Sequence, residues 1–173
     1  MKNLKEIRAS FDLYPQECSS QIKYFKMLDI DWNVYLPTRN RNLQRDYVWN
    51  IEQKRELIWS IFIGRHIPHC AVINSINKKN ENKDLYLIID GKQRLSTIFD
   101  FIDDKFTVEI ENKEYLFSEL PEDYQKAITY YHFRYYVVNE PWDTRITDDQ
   151  KVAWFKFINF AGTPQDAVHL NGL

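Results

Sequence analysis

The stretch Leu85-Tyr86-Leu87-Ile88-Ile89-Asp90-Gly91-Lys92-Gln93-Arg94-Leu95-Ser96-Thr97-Ile98-Phe99-Asp100-Phe101-Ile102 decides how this chain is read. An apolar run stops at Asp90 and Gly91. Apolar residues then recur at Leu95, Ile98, Phe99 and Ile102, the spacing of one helical face. A strand therefore feeds a helix through a glycine turn. Such a turn points the helix's free backbone N–H groups, and its positive dipole end, at whatever lies above it. Anions bind there, phosphates above all. Gln93 and Arg94 fall in the turn or the first helical turn, where a guanidinium adds a bidentate phosphate contact. Asp90, at the strand end, is placed to hold a metal ion or to orient a water. The bland alternative is a ligand-free Asp-Gly turn followed by a solvated arginine, which the same residues also fit.

Working outward, 173 residues make one domain large enough to bury a core without staples. Aromatic residues are 16% of the chain, so much of that core is expected to be aromatic. A net charge of −2 excludes a general polyanion binder, and any nucleic-acid contact must come from a local patch. Cys18 and Cys70 share no metal-ligand spacing, so reduced thiols, no zinc site and a cytoplasmic location are expected. His66 and His69 read as loop packing. No apolar stretch approaches the ~20 residues that span a bilayer, so no membrane role is expected.

Along the chain, Lys2 to Phe11 and Ser19 to Leu28 are helix candidates, which makes the first ~25 residues a peripheral helical segment. Trp32 to Leu36 alternates like a strand and stops at Pro37. Asn50 is an N-cap for a helix from Ile51 to Ile63, with Gly64 as its stop. Cys70 to Ile76 and Asp84 to Ile89 read as strands around a solvated Asn/Lys-rich loop. Phe106 to Ile110 and Glu114 to Phe117 form a hairpin around Glu111-Asn112. Pro121 to Tyr130 is a proline-opened helix, Phe133 to Asn139 a strand, and Thr147 to Asn159 a helix with a capping box from Thr147 and Gln150. Interleaved strands and helices, several joined by hairpins, argue an α+β fold.

Two further segments stand out. Arg39, Arg41 and Arg45 cluster in the polar run Thr38 to Trp49, where no helix face explains them. They suit a basic loop completing a phosphate or nucleic-acid site, and equally a surface loop anchored by Tyr47, Val48 and Trp49. In Phe157 to Gln165, Gly162 ends a helix and Pro164 blocks its continuation.

These segments together resemble one family. Gln44-Arg45 with Tyr47-Val48-Trp49, then Asp90-Gly91-Lys92-Gln93-Arg94-Leu95, then Asn159-Phe160-Ala161-Gly162-Thr163-Pro164 match in order and spacing the ParB/sulfiredoxin-like N-terminal domain of the GmrSD type. That family's signatures are a QR-x-Y-x-W stretch, a DGQQR motif and an N-x-x-G-x-P motif. Ile58 to Pro68 is similar to a further family stretch, and the resemblance covers roughly residues 25 to 166.

The resemblance implies a ParB/sulfiredoxin-like fold, a small mixed sheet with flanking helices, in a single domain over residues 1–173. It implies binding of a nucleoside triphosphate with Mg²⁺, and NTPase activity linked to restriction of phage DNA. On that expectation Asp90 and Gln93 are the candidate catalytic residues and Asp90 the metal ligand. Gln44, Arg45, Gly91, Lys92 and Arg94 would bind nucleotide. Arg39 and Arg41 are candidate DNA contacts, and Asn159, Gly162 and Pro164 form a motif without an assigned role. Lys92 departs from the first Gln of DGQQR, which puts hydrolysis in more doubt than binding. The chain also stops before the C-terminal nuclease domain of larger relatives, so a nuclease or restriction-system protein acting in trans is the expected partner. Two other readings are a DNA-binding or weakly nucleolytic protein, and a non-catalytic interaction module or inhibitor.

Overall fold

The computed structural model describes residues 13–76, 83–141 and 143–160. It is an α+β fold around a five-stranded mixed sheet. In chain order the elements are β1 (Gln16–Gln21), α1 (Ile22–Phe25), β2 (Asp29–Asp31), β3 (Tyr35–Leu36), a 3₁₀ turn (Pro37–Arg39), β4 (Arg41–Asn42) and α2 (Ile51–Phe62). Next come β5 (Cys70–Ile76), β6 (Asp84–Asp90), α3 (Lys92–Ile102), β7 (Val108–Ile110) and β8 (Lys113–Tyr115). A 3₁₀ turn (Phe117–Glu119), α4 (Glu122–Thr129), β9 (His132–Asn139) and α5 (Asp148–Phe160) complete the series. The sheet order is β1-β9-β5-β6-β2. β1/β9 and β5/β6 are antiparallel, whereas β9/β5 and β6/β2 are parallel.

Both faces of the central strands are covered, which is why β5 and β6 read as near-continuous apolar runs. One face carries Cys70, Val72, Ile88, Phe133 and Val137 against α1 to α4. Phe25 sits at its centre, edge-on to Phe133 at 4.8 Å and Tyr135 at 5.3 Å. The other face carries Ala71, Ile73, Ile89 and Val138 against Val34, Leu36, Leu43 and the α5 residues Val152, Trp154 and Phe155.

Local signals account for most boundaries. Asn50 and Gln53 form the capping box of α2, and Gly64 follows that helix at φ +71°. Glu111 and Asn112 both take positive φ between β7 and β8, as a tight two-residue turn requires. Thr147 and Gln150 exchange capping bonds at the start of α5.

Two expectations are corrected. Ser19 to Leu28 is not one helix, and residues 16–25 are not simply a peripheral helix. Residues 16–21 are an edge strand on β9, and only Ile22–Phe25 is helical. Pairing with a strand far along the chain overrides local helix preference there. Trp32 to Leu36 is a strand only at Tyr35–Leu36, which pairs with β4; β2 comes earlier in the chain and pairs with β6. Lys2 to Phe11 lies outside the described residues.

Behind the sheet, Glu140 ties three segments together. Its carboxylate, 4% exposed, accepts bonds from the Ser75 hydroxyl, the Arg145 guanidinium and the Ile146 N–H at 2.8 Å. Burial alone would push its pKa up, but the bonds from Ser75, Arg145 and Ile146 outweigh burial and hold it below the ordinary value of 4.5. A carboxylate with a depressed folded pKa adds stability that is fully present above its unfolded value and is lost as pH falls through the folded one. Acid unfolding below about pH 4.5 should therefore be less steep in Glu140→Gln than in the native chain. Identical acid transitions of the two proteins, followed by circular dichroism, would refute the role of this carboxylate.

Candidate functional site

Strands β6 and β2 run parallel, so their carboxyl ends share one edge of the sheet, and α3 starts there. In open sheets that edge is where ligands collect. Asp90 ends β6, Gly91 turns the chain at φ +97°, and α3 opens at Lys92 with no side chain capping it. The first helical bond runs from the Leu95 N–H to the Gly91 carbonyl at 2.9 Å, so the amides of residues 92–94 have no acceptor within the helix.

The turn is packed from below. A Cβ added at Gly91 would lie 2.3 Å from the Cys70 Sγ and 2.8 Å from its Cβ. Glycine is thus required by its backbone angle and by the close approach of β5. Cys70 is fully enclosed, and burial pushes its thiol up to about 11, with Arg94 opposing and Asp90 adding to the shift. A thiol so placed is inert packing.

Arg94 turns back over this floor. Its guanidinium donates to the Asp90 carboxylate at 2.6 Å and to the His69 carbonyl at 3.2 Å, while its buried Nε finds no partner among the described residues. Burial disfavours the Arg94 charge, but Cys70 and Asp90 favour it more, and its pKa is raised.

Gln93 faces the other way. Its amide nitrogen donates to the Asp46 carbonyl and its amide oxygen accepts from the Val48 N–H, both at 3.0 Å. Gln44 donates to the carbonyls of Ile88 and Ile89 at the end of β6. The Tyr47 hydroxyl meets the Thr97 hydroxyl at 2.6 Å. Five hydrogen bonds therefore fasten residues 44–48 to the end of β6 and to α3. Arg45, between two of these anchors, is exposed and has no partner among the described residues. Lys92 lies on the β2 side, 8% exposed, with its ammonium donating to the Asn33 side-chain oxygen at 2.6 Å.

The structure brings Asp90, Gly91, Lys92, Gln93 and Arg94 into one turn and fastens Gln44 and the Arg45 loop beside it. It takes Arg39 elsewhere, to an ion pair of 2.8 Å with Asp149 at the start of α5. Arg41 lies in β4, half-buried and already engaged. Asn159 is buried and donates back to the Phe155 carbonyl at 2.8 Å, a structural role within α5, while Gly162 and Pro164 lie outside the described residues. Reading the sequence missed Asn33, Cys70 and Thr97. Only Thr97 left a trace, a β-branched polar residue inside the apolar stripe of α3.

Among the described residues no group of three His, Cys, Asp or Glu side chains is placed to hold a metal ion. Asp90, paired with Arg94, is the one carboxylate in the turn at residues 90–94 that could hold a metal ion. Among the described residues no helix is long and apolar enough to cross a membrane.

A mixed α+β domain with an uncapped, arginine-bearing strand–turn–helix at the sheet edge is the class that fold and site define. Within it, the chain belongs to the family of the N-terminal domain of the GmrSD restriction endonuclease, whose family model matches residues 25–170. No curated protein and no solved structure matches the chain.

Proposed function

We propose that the turn at residues 90–94 binds the phosphate chain of a nucleoside triphosphate, in the service of a restriction system. The observation that carries this is the uncapped start of α3, which bears the Arg94 guanidinium in its first turn, with the exposed Arg45 in the loop that Gln93 fastens beside it. Arg94 is held by Asp90 in the free protein. An incoming phosphate competes for that guanidinium and releases the carboxylate. Asp90 is then the residue to hold Mg²⁺ arriving with the nucleotide, or to orient the attacking water. The metal, when bound, supplies charge neutralisation for phosphoryl transfer. Gln93 fixes the Arg45 loop through both ends of its amide, which favours a positioning role over direct water activation. The restriction setting comes from the family's name, and it makes a nuclease of that system the partner to look for. Arg39, already paired with Asp149, lends the DNA-binding alternative less support.

Calorimetric titration with ATP, GTP, CTP and UTP, each with Mg²⁺, tests the reading. At least one should bind. Asp90→Ala should abolish turnover yet retain binding, because a metal or water ligand acts mainly on charge that develops in the transition state. No binding of any of the four at millimolar concentration would leave the interaction module as the better account.

A further inference from the structure

Lys92 is an odd residue to find at the first position of α3. It is 8% exposed, and among the described residues its ammonium has a single acceptor, the neutral side-chain oxygen of Asn33. An ammonium carries three donors, so two find no partner among the described residues. Asp90, the nearest carboxylate in sequence, is paired with Arg94 at 2.6 Å, Asp31 uses its Oδ1 on the Asn33 N–H at 2.9 Å, and Lys92 enters no ion pair among the described residues. A cation at a helix N-terminus also opposes the dipole. Burying a charge without a counter-charge, at the helix end that repels it, destabilises the free protein. Neither α3, with a full apolar stripe, nor the sheet below needs an ammonium there. An anion removes both penalties at once. Asn33 is exposed, so the tip of Lys92 lies where a solute can reach it.

From this we infer that Lys92 makes phosphate binding at the turn independent of a metal ion. The inference rests on the nucleotide reading above and deepens it. In most nucleotide sites Mg²⁺ neutralises part of the phosphate charge. Here Asp90 is the carboxylate at the turn and is paired with Arg94, while Lys92 and Arg94 provide two cations on either side of the Gly91 turn. Binding then needs no metal, and Mg²⁺ matters only for turnover.

The test compares the full chain and Lys92→Gln in EDTA and in Mg²⁺, titrated with the four nucleoside triphosphates and with inorganic tripolyphosphate. The native protein should bind the tightest of these in EDTA within roughly threefold of its affinity in Mg²⁺. Lys92→Gln should lose roughly tenfold or more in EDTA, the scale of one charge-assisted hydrogen bond, and recover part of it in Mg²⁺. A melting curve of the ligand-free proteins gives a second readout. Lys92→Gln should melt no lower than the native chain, since glutamine keeps a donor for Asn33 and removes the uncompensated charge. A lysine with a merely structural role would lower the melting temperature and leave the affinity in EDTA unchanged. Nucleotide binding by the native chain in Mg²⁺ but not in EDTA overturns the inference and spares the nucleotide reading. Equal affinity of both proteins in EDTA does the same. Absence of binding in either buffer removes both.

Discussion

Gly91→Ala is expected to destabilise the protein by about 2–5 kcal/mol, combining overpacking with the strain of a side chain at positive φ. The new methyl carbon would sit 2.3 Å from the Cys70 Sγ, and the backbone there has φ +97°. Neither neighbour has room to give, because Cys70 is 2% exposed and lies in the sheet under α3. Two contributions can be separated. Cys70→Ala in the Gly91→Ala background removes the sulfur but not its Cβ, so it should restore part of the overpacking loss and none of the backbone strain. Chemical denaturation of the four proteins in a double-mutant cycle measures this coupling. Additive losses would mean that the turn and β5 do not press on each other.

Arg94→Ala should have two separable effects. The Asp90 carboxylate, 15% exposed, would lose its only ion-pair partner among the described residues. Removing one member of a fully buried pair costs about 3–5 kcal/mol. Here both side chains retain some solvent, so about 2 kcal/mol is the expected loss of stability. Phosphate binding should weaken by about 1.5–3 kcal/mol, the range for hydrogen bonds to charged groups. Arg94→Lys is the informative companion. It keeps the charge but loses the planar guanidinium whose one terminal nitrogen donates to both Asp90 and the His69 carbonyl, so it should bind and fold at intermediate levels. If melting temperature falls in Arg94→Ala while nucleotide affinity stays at the native value, the arginine is a strut and not a ligand.

How much of this was legible in the sequence depends on the range of each signal. The strand–turn–helix around Gly91 was, because a change of apolar period and a glycine act within a few residues. So were the caps of α2 and α5, where Asn50, Gln53, Thr147 and Gln150 bond within one turn. β1 was not, since Ser19 to Leu28 carries helix-compatible residues and its strand character comes from β9. In the site, Asp90, Gly91 and Arg94 are neighbours in sequence and were found together. The Lys92–Asn33 contact spans 59 residues and the Gln93–Asp46 contact spans 47, and nothing local announces either. Three arginines in one polar run looked alike in the sequence. The fold separates Arg39, bound at α5, from Arg45, exposed beside the turn.

The sheet order carries a consequence for how the chain acquires its shape. β1 is paired only with β9, so Ser19 meets His132 across 113 residues and Glu17 meets Arg134 across 117. β5, at the middle of the sheet, likewise takes β9 as its parallel neighbour. A ribosome must deliver nearly all of the described chain before the β1–β9 side of the sheet can close. Until then β5, β6 and β2 stand with one long flank open, and loop-closure entropy makes the last step slow. The exposed flank of β5 is apolar, a template for pairing with another chain. Rapid synthesis at high concentration should therefore favour aggregation through β5, and slower synthesis or lower temperature should raise the folded yield.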